Sequence, residues 1–414
     1  MTGAPRSRLL LLLPTTTYRA GAFIAAADAL DADLTVASEK DSAFSTDEPN
    51  ALLTLNFAEP AECVARVAQF HRRHPIRAVF GVDDRTAVVA AHVAQALGLD
   101  HNPPAAVEAA GDKFRQRQLL ATAGVPIPSF AYHHFDRIDP ASLATVRFPA
   151  VVKPVSLSAS RGVMRVDDPD SLAKAISRLR AILEEAAPAS EQAFLIEDYI
   201  PGEEYALEGI LDDGRLTTLA LFDKPDPLEG PTFAETIYLT PSQASAPVQA
   251  ALHDTAQAAC TALGLVRGPV HVELRYNARG PWLVELAARP IGGRCGEVLR
   301  FGPEAKSLET ILLAQALGCL PTIPSREPQA SGVMMLPVPR AGTFQRIDGL
   351  ETALATPGVT DIAVTVHRGA RVRPLPEESR YLGFIFARGP DPGTVERAIR
   401  QAFTTLDIII EQMP

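Results

Sequence analysis

The sequence predicts an α/β protein in several units: a parallel sheet covered by helices, an α+β insertion resembling a lid, a larger antiparallel sheet, and a small C-terminal α+β unit. Three observations carry this reading. Apolar runs of strand length alternate with helical patterns near the start; the texture turns to short strands and Ser-rich turns at Phe148; and a long hairpin with an acidic face runs from His271 to Arg289.

The first unit, set at 1–105, rests on buried strands at Leu9–Leu13, Leu34–Ala37 and Ala78–Val82, with helices over Ala20–Leu30 and Thr86–Leu97. Asn102-Pro103-Pro104 ends the rhythm, because proline disfavours helix in the residue before it. A helix over Lys113–Ala123 closes at Gly124, and Val125-Pro126-Ile127-Pro128 forces extended chain. Strand Ala150–Lys153, a Ser-rich turn through Gly162, strand Val163–Val166, helix Leu172–Glu185 and strand Ala193–Tyr199 make the lid, over about 148–204, within a unit of 106–320. The rest of that unit holds strands Tyr205–Leu211, Leu216–Asp223 and Thr236–Leu239, helix Pro247–Leu263, the hairpin, and helix Leu308–Leu317. Pro321 to Pro328 reads as a linker into the last unit, 321–414, with strands Val333–Pro337, Ile362–Val366 and Tyr381–Ala387 and a helix near Thr394–Thr405.

Composition excludes several function classes. With 39 Lys+Arg against 49 Asp+Glu the net charge is −10, so no general positive field holds a nucleic-acid backbone. The four cysteines show no metal-ligand spacing, which suits a reducing compartment. Arg6 and Arg8 before Leu9–Leu13 imitate a signal peptide, but Pro14 stops the apolar run. No stretch approaches the roughly 18 apolar residues of a membrane span. A cytoplasmic protein with neither nucleic-acid nor membrane partners is expected.

A turn centred on Arg279 sets Glu273 opposite Glu285 and His271 opposite Ala287, with Val272, Leu274, Val284 and Leu286 on the other face. Like charges opposed on a sheet repel, so the pair either lies on a solvated face or shares a cation, and hard carboxylate oxygens suit Mg2+. Lys153 sits at the end of a buried strand with Pro154 behind it; it either snorkels to water or meets an anion. Ser156-Leu-Ser158-Ala-Ser160-Arg161-Gly162 is a small-residue turn able to wrap phosphate oxygens, or a plain loop. Phe194-Leu-Ile-Glu197-Asp198-Tyr199-Ile200-Pro-Gly202-Glu203-Glu204 runs from strand to tight turn to strand.

In this order and spacing, Lys113, Lys153, the turn after Glu197 and the carboxylate hairpin resemble the ATP-grasp superfamily, most of all its L-amino acid ligase type of carboxylate–amine ligase. The resemblance covers about 105–320 and extends in outline to both flanks. It implies ATP and Mg2+ as cofactors and small-molecule carboxylate and amine substrates, and it leaves a homodimer open. It further implies that Lys113 and Lys153 contact ATP phosphates and that the loop with Ser158, Ser160 and Gly162 covers them. Glu197 and the backbone of Tyr199 and Ile200 would take the adenine, and Glu204 the ribose. Glu273 and Glu285 would bind Mg2+, and Arg289 would steady an acyl phosphate. Gly292 and Gly293 would let substrate approach the backbone, and Glu235 would take the substrate ammonium group, with Tyr238 beside it. Lys153, Glu235 and Arg289 are the expected catalytic residues.

The chain departs from the family at three places. Ala287 stands where Glu-x-Asn-x-Arg carries Asn, Tyr238 stands where amino acid ligases often carry histidine, and the covering loop has one glycine, Gly162. Tyr238 lies three residues beyond Glu235 and on an ideal strand faces the other side. His271 shares a face with Glu273 and is expected beside the metal without ligating it. The chemistry is ATP-dependent amide or peptide bond formation through an acyl phosphate, releasing ADP. The alternatives are a bicarbonate-activating enzyme like biotin carboxylase and a non-catalytic nucleotide-binding relative.

Overall fold

A computed structural model describes residues 6–15, 17–40, 52–186 and 192–412. Apolar runs in the first unit form a four-stranded parallel sheet, ordered Leu53–Thr54, Asp33–Ser38, Arg8–Leu12, Ala78–Gly81. Leu9 to Leu12 are fully buried because helices pack on both faces, as a parallel sheet requires. Helix Asp84–Leu97 follows the strand Ala78–Gly81, started by Asp83, whose carboxylate accepts from the Thr86 amide.

The lid sheet is antiparallel, ordered Phe130–His134, Ala193–Asp198, Ala150–Pro154, Met164–Val166, with helix Pro169–Ala186 packed on it. Its outer strand Phe130–His134 comes from upstream of the Phe148 change in texture. The core is one eight-stranded antiparallel sheet: Gly280–Ala287, Gly268–Asn277, Glu203–Asp212, Arg215–Asp223, Ile237–Thr240, Ala330–Leu336, Gly383–Gly389, Val359–Val364. Its last three strands come from the C-terminal region and extend the same sheet. All seven residues of Ala330–Leu336 are buried: Val333 and Met335 meet the core shared with the first unit, while Met334 and Leu336 lie over helix Pro392–Thr404. A three-stranded sheet, with Gly342–Asp348 at its centre, completes the C-terminal region.

Helices Pro60–Arg73 and Pro104–Gly111 add to the elements that the sequence predicts. The second starts at the Pro103-Pro104 boundary, because proline at the first helical turn gives up no hydrogen bond. Among the described residues no helix is long and apolar enough to cross a membrane.

Candidate active site

Two adjoining cavities open on the core sheet. One, of about 250 Å3, lies between the first unit, which supplies Tyr18, Arg19 and Asp84, and core residues including Arg289, Gly292, Gly293 and Tyr381. The other, of about 80 Å3, lies under the lid and takes in Lys113, Lys153, Glu197, Tyr199, Ile200 and Glu204. Ser160, Glu235, Glu273 and Glu285 line both, so the carboxylates mark the junction.

The hairpin places Glu273 opposite Glu285 and His271 opposite Ala287, but by a different route from the symmetric turn expected. The turn is one residue tighter, with Asn277 paired to Gly280, and the register shifts between Glu273 and Leu274, restoring the pairing. The shift corrects the expected faces. Leu283, not Val284, is buried with Val272, Leu274 and Leu286, while Val284 and Glu285 both line the cavity under the lid.

Three lysines converge here. Lys113, at the start of helix Lys113–Thr122, lies 3.3 Å from Glu285 and donates to the Leu157 carbonyl. Lys153 lies 2.7 Å from Glu197, whose carboxylate also accepts from Arg117 at 2.8 Å. Burial first, and then Arg117, push Lys153 down to about 8 against the pull of Glu197. Burial works against the charge on Glu197 too, but Arg117 and Lys153 hold its carboxyl below the usual range.

The third, Lys224, reaches Glu204 at 2.8 Å, Glu235 at 2.7 Å and Glu273 at 3.0 Å. Glu204, Glu235 and Glu273 offer oxygens close enough together for a metal ion, and the ammonium group of Lys224 bonds all three. Burial opposes the charge on Lys224, but the three carboxylates hold its pKa well above normal. Burial and Glu273 push Glu235 up to about 7 despite Lys224, whereas Lys224 and His271 outweigh burial at Glu273 and hold it low. His271 sits 3.2 Å from Glu208 and 3.7 Å from Glu273; the carboxylates overcome burial and raise it to about 9.

The residues after Glu197 form a tight edge. The Tyr199 amide donates to the Pro149 carbonyl, and Arg275 donates to the Ile200 carbonyl and to Glu204. Among the described residues the Tyr199 carbonyl and the Ile200 amide have no protein partner. Gly162 is a correction: its amide donates to the Pro376 carbonyl and its Cα faces Leu179, so it lines neither cavity. Ser160 lines both and Ser158 the larger one. Arg161 donates to the Glu377 carbonyl and Arg178 grips the Glu377 carboxylate with two bonds, so segment 373–378 straps the loop down.

Tyr238 reaches Glu235 through the bend that strand alternation requires. Strand Ile237–Thr240 begins after Glu235, so the chain turns freely between them, and the Tyr238 hydroxyl donates to Glu235 from a ring buried in the core. Arg289 donates from Nε to Asp84 at 3.0 Å and from Nη1 to the Pro290 carbonyl at 3.1 Å. Burial opposes its charge, but Asp84, with Glu285 and Asp83 behind it, keeps the guanidinium above its ordinary value. Gly292 faces open space, whereas a Cβ on Gly293 would meet the Phe384 ring at 3.1 Å.

Lys224, Arg275, Arg117, Glu208 and Asp84 were not singled out from the sequence. Lys224 had a signal: like Lys153 before Pro154, it ends an apolar strand just before a proline, Pro225. Arg275 follows His271 and Glu273 at the same two-residue period on the hairpin. Glu208 and Asp84 had none, since their partners come from sequence positions 63 and 205 residues away.

Family models for an ATP-grasp domain, an ATP-grasp N-terminal domain and an L-amino acid ligase C-terminal domain 2 match residues 146–298, 24–101 and 334–411. Carnosine synthase 1 of Gallus gallus is 31% identical over 315 residues, 70% of this chain and 33% of that protein. Dapdiamide A synthase of Enterobacter agglomerans is 28% identical over 186 residues, 44% of this chain and 43% of that protein. The chain spans between 33% and 62% of the length of such curated relatives. A crystal structure of L-amino acid ligase from Bacillus licheniformis superposes with a TM-score of 0.83 at 26% identity, covering 99% of this chain and 100% of that one.

Proposed function

Because this chain belongs to the ATP-grasp superfamily and shares the architecture of an L-amino acid ligase, we propose that it joins a carboxylic acid to an amine, driven by ATP, with an amino acid as a substrate. The observation that carries the reading is the junction of the two cavities: a slot under the lid and a larger chamber meet at Glu273 and Glu285, beside Lys113, Lys153 and Arg289, with Lys224 beneath Glu273. A site that only held a nucleotide would need no chamber beyond the phosphates.

The donors fit ATP. The open amide at Ile200 matches a ring nitrogen of adenine, with Glu197 at the same edge for the amino group; the Tyr199 carbonyl belongs to the same trans peptide and points the other way. Glu204 lies where ribose hydroxyls would follow. Glu273 and Glu285 supply hard oxygens for Mg2+, which when bound would neutralise phosphate charge. His271 would tune Glu273 from behind without ligating the ion.

A carboxylate and a triphosphate repel each other, and Lys113, Lys153 and Arg289 offset that repulsion at the junction. A carboxylate oxygen then attacks the γ-phosphorus, the bond to ADP breaks, and an acyl phosphate forms. Ser158 and Ser160, held over the site by the strapped loop, keep water from the intermediate. Arg289 steadies the carbonyl oxygen as the amine attacks; the amine gives its proton to Glu235 or to bulk solvent, and phosphate leaves with the electron pair of the broken C–O bond. Glu235, at the chamber wall with Tyr238, would receive the ammonium of the amino acid. The test is phosphate release with amino acids offered singly and in pairs, with mass spectrometry of products. An amide product formed with one ADP per bond supports the reading; ADP release with bicarbonate alone rejects it.

A further inference from the structure

Resting on the reading of Arg289 just given, we propose that Asp84 of the first unit is a positioning residue for Arg289, so that the ligation site is completed across the interface between that unit and the core. The Asp84 carboxylate takes the Nε of Arg289 at 3.0 Å, and the Pro290 carbonyl takes Nη1. Among the described residues Nη2 has no protein partner, and Arg289 lines the chamber. Two of the three nitrogens of a planar fork are therefore pinned, one on each side, and Nη2 is left for an oxyanion.

Asp84 stands on a rigid platform. The Thr86 hydroxyl accepts from the Val82 and Asp83 amides at 2.9 and 3.0 Å, and a Cβ on Gly81 would lie 2.3 Å from the Thr86 backbone. The strand-to-helix turn thus admits little change. Asp83 alone caps helix Asp84–Leu97, through the Thr86 amide and hydroxyl. Asp84 is not needed to start the helix, and its side chain is 34% exposed while the arginine it holds is 13% exposed. The first unit therefore contributes more than a chamber wall: it sets the angle of a cation that belongs to the core.

Steady-state kinetics of Asp84→Ala and Asp84→Asn test this. Misplacing Arg289 should lower kcat of Asp84→Ala by about 30-fold while the ATP KM moves less than about twofold. Asn keeps an oxygen for the Nε–H and should recover kcat to within about fivefold of wild type. In an Arg289→Lys background, adding Asp84→Ala should cost little more, because the group it positions is gone. The proposal is overturned by an unchanged kcat in Asp84→Ala, by a loss confined to the ATP KM, by Asn no better than Ala, or by an undiminished loss in the lysine background. Exchange of the Arg289 Nε–H proton, followed by NMR, reads the pairing without turnover. It should be slow in the wild type and fast in Asp84→Ala, and equal rates overturn the pairing. Slow wild-type exchange in a protein that forms no amide rejects the ligase reading and leaves the pairing standing.

Discussion

Lys224 Nζ lies 2.7 Å from Glu235 Oε1, and the same ammonium group also bonds Glu204 and Glu273, so one buried cation holds three carboxylates together. Removing it would leave uncompensated negative charge in a largely buried site. Lys224→Met should lower unfolding free energy by about 3 kcal/mol, the scale for breaking a buried ion pair. Millimolar Mg2+ should restore part of that loss, since a divalent ion can replace the ammonium between the same oxygens. Chemical denaturation with and without Mg2+ checks this, and a variant as stable as wild type would show that the carboxylates do not depend on Lys224.

Lys153 is neutralised unusually easily before nucleotide arrives, at about 8, because burial and Arg117 disfavour its charge. A phosphate beside it favours the charged form and raises that value, so ATP binding should take up a proton near pH 8 and above. ATP affinity should fall as pH rises through that range. Calorimetry in two buffers of different ionisation enthalpy measures the uptake. Lys153→Ala should abolish the uptake and lower turnover by at least about 100-fold; an unchanged proton count would place Lys153 away from the phosphates.

His271 is raised to about 9 by Glu208 and Glu273, which overcome its burial. Its charged form is favoured by the fold, so its stabilising contribution is complete below about pH 6.5, the ordinary histidine value, and disappears as pH climbs to about 9. The stability gap between wild type and His271→Asn should therefore shrink across that window, by at most about 3 kcal/mol. Urea denaturation at several pH values reads the gap; a gap that widens with pH would mean that the ring is held neutral.

The strap acts on the covering loop. Glu377 binds Arg178 through two bonds at 2.6 and 2.9 Å, but Arg178 is half exposed, so the pair contributes about 1 kcal/mol or less. Glu377→Ala should leave the fold intact and speed hydrogen exchange at 158–162 by a few-fold. No change there would show that the backbone bond from Gly162 to Pro376 suffices.

The parallel sheet and the hairpin were legible in the sequence because each is declared by local periodicity: Leu9–Leu13 as a buried strand, and Glu273 opposite Glu285 across one turn. The hairpin pairing survived a tighter turn only because the register shift compensated for it. What stayed hidden depends on contacts between distant segments. Asp84 reaches Arg289 only through the packing of two units, and the strands Ala330–Leu336 and Gly383–Gly389 extend the core sheet because Ile237–Thr240 offers them an edge. The backbone bond that holds Gly162 away from both cavities likewise comes from Pro376, far down the chain.

The most direct measurement of an acyl-phosphate route is transfer of 18O from a labelled carboxylate. An accepted amino acid carrying 18O in its carboxyl group is incubated with ATP, Mg2+ and the amine partner, and the released phosphate is analysed by mass spectrometry. Attack by the carboxylate on the γ-phosphorus predicts one 18O in each phosphate, in step with amide formed. Amide formed with unlabelled phosphate, or ADP released with no amide at all, would contradict it.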